Sequence, residues 1–207
     1  MKQNILKYSS LLALLGSTFF SAQTFSAGCQ TGASPSDSCT IDFSDITYTL
    51  TGDIDTDTTD SIIDFVPGAN SNTLNFFGSI VSEGRSARAF IFSSNDGNTL
   101  SMTGNIVTEG DFAEGIRLNL NATNTNINLI GSISTSGSLA HGILLNNGSD
   151  TNTTTILGNI TTTGSNSRGI DVVEADSNTT TMTGNITTSG HGIHIYRGLS
   201  NTTTVSG

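Results

Sequence analysis

Three aspartates at alternating positions form the densest group of potential metal ligands in the chain. Asp53, Asp55 and Asp57 are separated by single residues. On a β-strand these carboxylates would share one face, because successive side chains point to opposite sides. Carboxylate oxygens are ligands of hard cations such as Ca²⁺. The spacing raises calcium binding as a hypothesis, although a solvated acidic surface is the simpler interpretation and the one we favour.

The three histidines do not form an evident catalytic or zinc site. His141 and His191 occupy equivalent positions two copies apart in the repeat described below. That separation corresponds to about 10 Å at strand spacing, whereas zinc–nitrogen bonds are near 2.1 Å. Glu114 and Arg168 fall at the same repeat position, which predicts a mixed-charge ridge with weak surface ion pairs. His194 stands between two apolar residues and is expected to point outward.

A repeat of 26 or 27 residues positions these side chains. The triplet Gly-(Asn/Ser/Asp)-Ile occurs at spacings of 26, 26, 27, 27 and 26 residues. Its six copies begin at Gly52, Gly78, Gly104, Gly131, Gly158 and Gly184. Regular self-similarity of this length is the signature of a repeat architecture.

Apolar residues keep the same place in every copy. Two residues after each anchor glycine stands an isoleucine, and the predicted repeat core includes Ile80, Ile106, Ile133, Ile160 and Ile186. Apolar residues alternate with Thr, Ser and Asn, and glycines separate the segments, which is typical of short β-strands joined by turns. The pattern predicts an all-β fold, a right-handed parallel β-helix (solenoid) of about six 26–27-residue rungs.

A column of asparagines lies six residues before the anchors. Its members are Asn72, Asn98, Asn152, Asn178 and Asn201, and Thr125 interrupts it. Stacked amides can hydrogen-bond along the axis of such an array. We therefore expect this column to be structural.

Composition and charge restrict the partners. The formal net charge is −10, both lysines lie in the first ten residues, and the remaining chain sets five arginines against 17 acids. Binding to phosphate backbones depends on clustered Lys and Arg, so a nucleic-acid partner is not expected. Nothing in the sequence indicates a cofactor.

The N-terminal region is predicted to direct export and to cap the array. Residues 1–27 combine two lysines, an apolar run and small residues at Ala22 and Ala27, as a signal peptide does. Residues 28–45 are expected to form a cap, with a disulfide between Cys29 and Cys39 as the favoured use of the two cysteines. The repeats occupy 46–207 and stop on a new anchor, so we expect an open, truncated end there.

The repeat phrases resemble the passenger domains of bacterial autotransporters, the type V secretion system. The resemblance covers residues 46–207 and rests on the signal peptide and on phrases such as Gly-Asn-Ile-Thr-Thr-Thr-Gly at 158–164. Similar rungs occur in β-helical adhesins of two-partner secretion. The resemblance implies export to the periplasm, passage through an outer-membrane β-barrel translocator that is absent from this sequence, and display at the cell surface.

The expected function is that of a cell-surface or secreted stalk that supports adhesion without catalysis, meeting receptors or glycans on host or neighbouring cells. The first alternative is a fragment of a polysaccharide-degrading β-helix enzyme, which would need clustered carboxylates on one face. The second alternative is ice binding by a regular array of outward threonines. Its members are Thr153, Thr155, Thr179, Thr181, Thr202 and Thr204.

Overall fold

The computed structural model describes residues 39–57 and 59–207. In this part of the chain every regular element is a β-strand. A search of the same residues finds no helix long and apolar enough to cross a membrane. The predicted signal peptide, residues 1–27, lies outside the described residues.

Within the described residues, twenty strands form three parallel sheets. The first sheet contains, in order, β1 (Cys39–Ile41), β4 (Ile63–Phe65), β7 (Phe90–Ser93), β10 (Ile116–Asn119), β13 (Ile143–Asn146), β16 (Ile170–Val173) and β19 (Ile193–Tyr196). The second contains β2 (Thr47–Thr51), β5 (Thr73–Phe77), β8 (Thr99–Thr103), β11 (Asn126–Ile130), β14 (Thr153–Leu157), β17 (Thr179–Thr183) and β20 (Thr202–Ser206). The third contains β3 (Ile54–Thr56), β6 (Ile80–Ser82), β9 (Ile106–Thr108), β12 (Ile133–Thr135), β15 (Ile160–Thr162) and β18 (Ile186–Thr188).

Each strand pairs with the strand three places further along the chain, so one rung consists of three strands. In the third sheet Ile106 pairs with Ile133, and Ile133 pairs with Ile160. All three side chains are buried. The predicted solenoid of about six rungs, with a repeat near 26 residues, is confirmed.

The inward side chains of the three sheets form one continuous core. Aromatic rings fill it near the start, where Phe65 stacks on Phe92 with ring centroids 4.3 Å apart. Further along the second sheet, the inward positions held by Leu74, Leu100 and Ile127 in earlier rungs pass to threonines such as Thr154, which is also buried. The inward side chains of this column become smaller along the axis while the strand register is kept.

Glycine is required at the anchor because adjacent rungs approach closely there. Gly131 has a φ of +151°, a region that L side chains rarely adopt. A Cβ built on Gly131 would overlap the carbonyl oxygen of Gly104 in the preceding rung. The anchor of the first copy, Gly52, has nothing within 4 Å of the same position.

The first rung begins before the predicted repeat boundary. β1 lies inside residues 28–45, the segment expected to form a cap, yet it pairs in parallel with β4 of the first sheet. Cys39 opens this strand, is buried and is not a free thiol. Its predicted partner, Cys29, lies outside the described residues, so the pairing stays a prediction.

Candidate functional site

The asparagine column forms a hydrogen-bonded ladder between rungs. The backbone N–H of Asn152 donates to Oδ1 of Asn178 at 2.9 Å, and that of Thr125 donates to Oδ1 of Asn152 at 2.8 Å. Nδ2 of Asn152 donates to the carbonyl oxygen of Ala122 at 2.9 Å. Each such amide satisfies buried backbone groups that the sheets leave unpaired at the corner. Equivalent bonds involve Asn72, Asn98 and Asn201.

A second ladder runs along the residue after each anchor glycine, and Asp53 is its first member. Oδ1 of Asp53 accepts from the backbone N–H of Ser79 at 2.7 Å. In the next rungs Oγ of Ser79 accepts from Asn105, and Oδ1 of Asn105 accepts from Ser132 at 2.9 Å. This ladder explains why Asp, Ser and Asn alternate in the anchor triplet, since all three supply an acceptor oxygen.

The other members of the aspartate cluster point away from the core. Asp55 and Asp57 are exposed, and Thr56 between them is buried. No group of three or more His, Cys, Asp or Glu side chains within 39–57 and 59–207 is arranged to hold a metal ion. The calcium hypothesis gains no support from this geometry and remains a hypothesis.

The main concentration of charge lies on the outer face of the first sheet, where two columns run side by side. One column stands in the turn before each strand, and the other is the second residue of the strand. We call this surface the charged ridge. It comprises Arg88, Glu114, His141, Arg168 and His191 in the turn column and Ile91, Arg117, Leu144, Asp171 and His194 in the strand column.

Asp171 is the centre of the C-terminal half of the charged ridge. Its side chain is only 3% exposed and lies between rungs. Arg168 donates from Nη1 to Oδ2 at 2.6 Å, and Nδ1 of His194 is 2.8 Å from Oδ1. Nε2 of His141 lies 3.5 Å from Oδ2. A buried carboxylate with three basic neighbours is therefore held in one orientation.

Glu114 plays the same part in the N-terminal half. Nε of Arg88 donates to its Oε2 at 2.5 Å, and Nη1 of Arg117 lies 3.6 Å from Oε1. The Glu114 side chain is 4% exposed. Two guanidinium groups therefore share one carboxylate, and Arg88 also interacts electrostatically with the Asp64 carboxylate.

Burial changes the proton affinity of the ridge. Desolvation lowers the pKa of His141 below its usual 6.5, against the opposing pull of Asp171 and Glu114. Nδ1 of His141 accepts the backbone N–H of Arg168 at 3.0 Å, which also favours the neutral ring. Desolvation lowers the pKa of Arg117 as well, and it raises the pKa of Asp64, which pairs with Ile91 from the preceding rung.

The ion pairs differ from the expectation of weak surface contacts, because Glu114 and Asp171 are almost fully buried. The reason is geometric: a turn residue and the strand residue three positions later lie in adjacent columns, so their long side chains cover one another. His194 projects from the outer face of the strand, as predicted, and there it contacts Asp171, a partner that the repeat position of His194 alone does not indicate. The signal was present in the three-residue separation, which recurs in every rung of the ridge.

The outward threonines occupy the second sheet. Thr153 pairs with Thr179 and Thr179 with Thr202, and the residues two positions later pair in the same way. All six of these threonines are exposed, so the array is regular over three rungs. Ice binding is not tested by this arrangement and stays an alternative.

Comparison of the chain with protein-family models, with curated proteins and with solved structures finds no match in any of the three.

Proposed function

We propose that the chain is an exported β-helical stalk or passenger that supports adhesion at the cell surface. The observation that carries the proposal is the division of each rung into constant and variable parts. The buried columns repeat, whereas the strand column of the charged ridge changes from Ile91 to Arg117, Leu144, Asp171 and His194. A constant scaffold with a varied outer face suits recognition by surface residues.

The export part of the proposal rests on the sequence of residues 1–27 and on the resemblance to autotransporter passengers. A translocator in the outer membrane would complete the route. Surface proteolysis of intact cells tests it directly: protease should remove the chain from cells that carry the leader, and should not reach a variant without residues 1–27. Protection of the leader-bearing chain would contradict export to the surface.

Adhesion is tested by deleting the gene and measuring binding to host cells, abiotic surfaces and sister cells. We expect the deletion to lower at least one of these, and complementation to restore it. Unchanged binding in all three assays would refute the adhesive role while leaving the export result intact.

The polysaccharide-degrading alternative would have to use Glu114 and Asp171, two carboxylates on the same sheet face that are almost fully buried and paired with basic side chains. Carboxylates placed beside a sugar chain can act as acid or base. Purified protein should be incubated with uronate-containing and neutral polysaccharides, with Asp171→Asn as the matched variant. Cleavage by the parent protein but not by the variant would establish that the chain is an enzyme.

A further inference from the structure

His191 and His194 end the two columns of the charged ridge in the same rung. One rung earlier the residues in these columns are Arg168 and Asp171, whose side-chain ends meet at 2.6 Å. The imidazole rings of His191 and His194 likewise lie side by side, with centroids 5.7 Å apart and planes 22° from parallel. The ridge geometry thus places two imidazole rings side by side on one face of the solenoid.

Asp171 fixes the ring of His194 from behind. Nδ1 of His194 lies 2.8 Å from Oδ1 of Asp171. An ionised carboxylate only accepts hydrogen bonds, so Nδ1 carries the proton and Nε2 keeps its lone pair free. A carboxylate that orients a histidine in this way is a recurring feature of metal sites, where it sets the tautomer and raises the basicity of the ligand. Arg168 holds the carboxylate in turn.

Solvent can reach both rings. His191 is exposed, and the side chain of His194 is 28% exposed to solvent. His141 is different: its side chain is 8% exposed, and Nδ1 already accepts a backbone N–H from Arg168. Its remaining nitrogen therefore carries the proton and faces Asp171. Two histidines are available as ligands, and the third is not.

We propose that His191 and His194 bind a divalent transition-metal ion, with Asp171 as the positioning residue for His194. Imidazole suits Zn²⁺, Cu²⁺ and Ni²⁺, whereas Ca²⁺ prefers oxygen ligands. Water completes the coordination, since no group of three His, Cys, Asp or Glu ligands is assembled in the described part of the chain. This site does not depend on the adhesive role, and it would stand if that role were refuted.

The feature that creates the pair is a shortened turn. The turn before β19 runs from Gly190 to Gly192, three residues shorter than the corresponding turn from Gly164 to Gly169. Despite the deletion, β19 keeps its register with β16, so that His194 pairs with Asp171. His191 consequently stays in the turn column, next to His194.

The test is titration of the tag-free full chain with Ni²⁺ and Zn²⁺ by calorimetry, with circular dichroism to confirm folding. We expect one ion per chain. His191→Ala and His194→Ala should each lower the affinity at least about tenfold, and Asp171→Asn should lower it by about 10–100-fold, as loss of an orienting carboxylate does in other sites. Asn126→Ala, an exposed substitution on the second sheet, is the control and should bind as the parent does.

Cu²⁺ provides a second readout, because its electron paramagnetic resonance spectrum reports the bound nitrogens. Two equivalent nitrogens are expected in the parent protein and one in His191→Ala. Because His191 is exposed, its substitution leaves the core intact, so a loss of binding cannot be attributed to unfolding. Absence of binding by the parent, or equal binding by His191→Ala, would overturn the proposal; the latter would point to the surface carboxylates instead.

Discussion

Comparing alanine substitutions at an internal anchor glycine and at the first anchor glycine distinguishes the cost of steric overlap between rungs from the cost of backbone strain. At Gly131 the new Cβ would overlap the carbonyl oxygen of Gly104. This oxygen is a backbone atom, so no change of side-chain rotamer can relieve the overlap. At Gly52 the same substitution meets nothing within 4 Å. Both glycines have positive φ, +151° and +109° respectively, so both variants carry backbone strain but only one carries the overlap.

The expected magnitudes follow from these two terms. An L residue forced into a glycine-only region costs about 1–3 kcal/mol. Forcing an additional methyl group into a packed site costs a further ~1–3 kcal/mol. The free energy of unfolding should therefore fall by about 2–6 kcal/mol in Gly131→Ala, against about 1–3 kcal/mol in Gly52→Ala. A loss of this size is a large part of the total stability of an ordinary domain.

Urea denaturation followed by far-ultraviolet circular dichroism measures the difference. Gly97→Ala is an internal control, because a Cβ there has its nearest contact at 3.6 Å. Asn124 and Thr151 adopt positive φ at the equivalent position of later rungs, so this site accepts side chains. Equal losses of stability in Gly131→Ala and in both control variants would refute the close approach of successive anchors.

Three further substitutions test the core, the ladder and the ridge. Ile133→Ala should lower the free energy of unfolding by about 2–5 kcal/mol, because it opens a cavity in the core. Ile186 is only partly buried, so Ile186→Ala should have a smaller effect in the same thermal melting experiment. Asn152→Ala should cost about 1–3 kcal/mol for each buried backbone partner it leaves unpaired, while the exposed Asn126→Ala should be nearly neutral in the same melt. Stability should fall as the pH drops below about 6.5, because the pKa of His141 is lower in the folded than in the unfolded chain and the unfolded state then binds more protons. This loss should be smaller in His141→Gln, and an identical pH profile would show that His141 does not contribute to it.

The fold was predictable because each rung of a solenoid repeats the same pattern of core residues. Ile106, Ile133 and Ile160 lie at a constant distance from their anchors, and parallel in-register pairing converts that constancy into a buried column. The asparagine column was predictable for the same reason. The ladder that begins at Asp53 is not predictable from the anchor triplet, because the succession of Asp, Ser and Asn does not show which backbone N–H each oxygen accepts.

The charged ridge was less predictable because it depends on side chains that cross between columns. The repeat length predicts which residues share one column, and it predicts Glu114 and Arg168 as surface charges of the same column. The burial of Asp171 arises from contacts between two columns and two rungs, with His141 on one side and His194 on the other. Buried hydroxyl groups were missed in the same way: Thr108 points inward and donates to the carbonyl oxygen of Ala113 at 2.5 Å.

The stacking of equivalent isoleucines along one axis is tested most directly by nuclear Overhauser contacts between their methyl groups. With isoleucine methyls selectively labelled and assigned by single substitutions, Ile133 should show contacts to both Ile106 and Ile160, since paired strands lie about 4.8 Å apart. Ile106 and Ile160 flank Ile133 in the sheet and should show a much weaker contact with each other. Absence of the Ile106–Ile133 and Ile133–Ile160 contacts in the folded protein would contradict the solenoid.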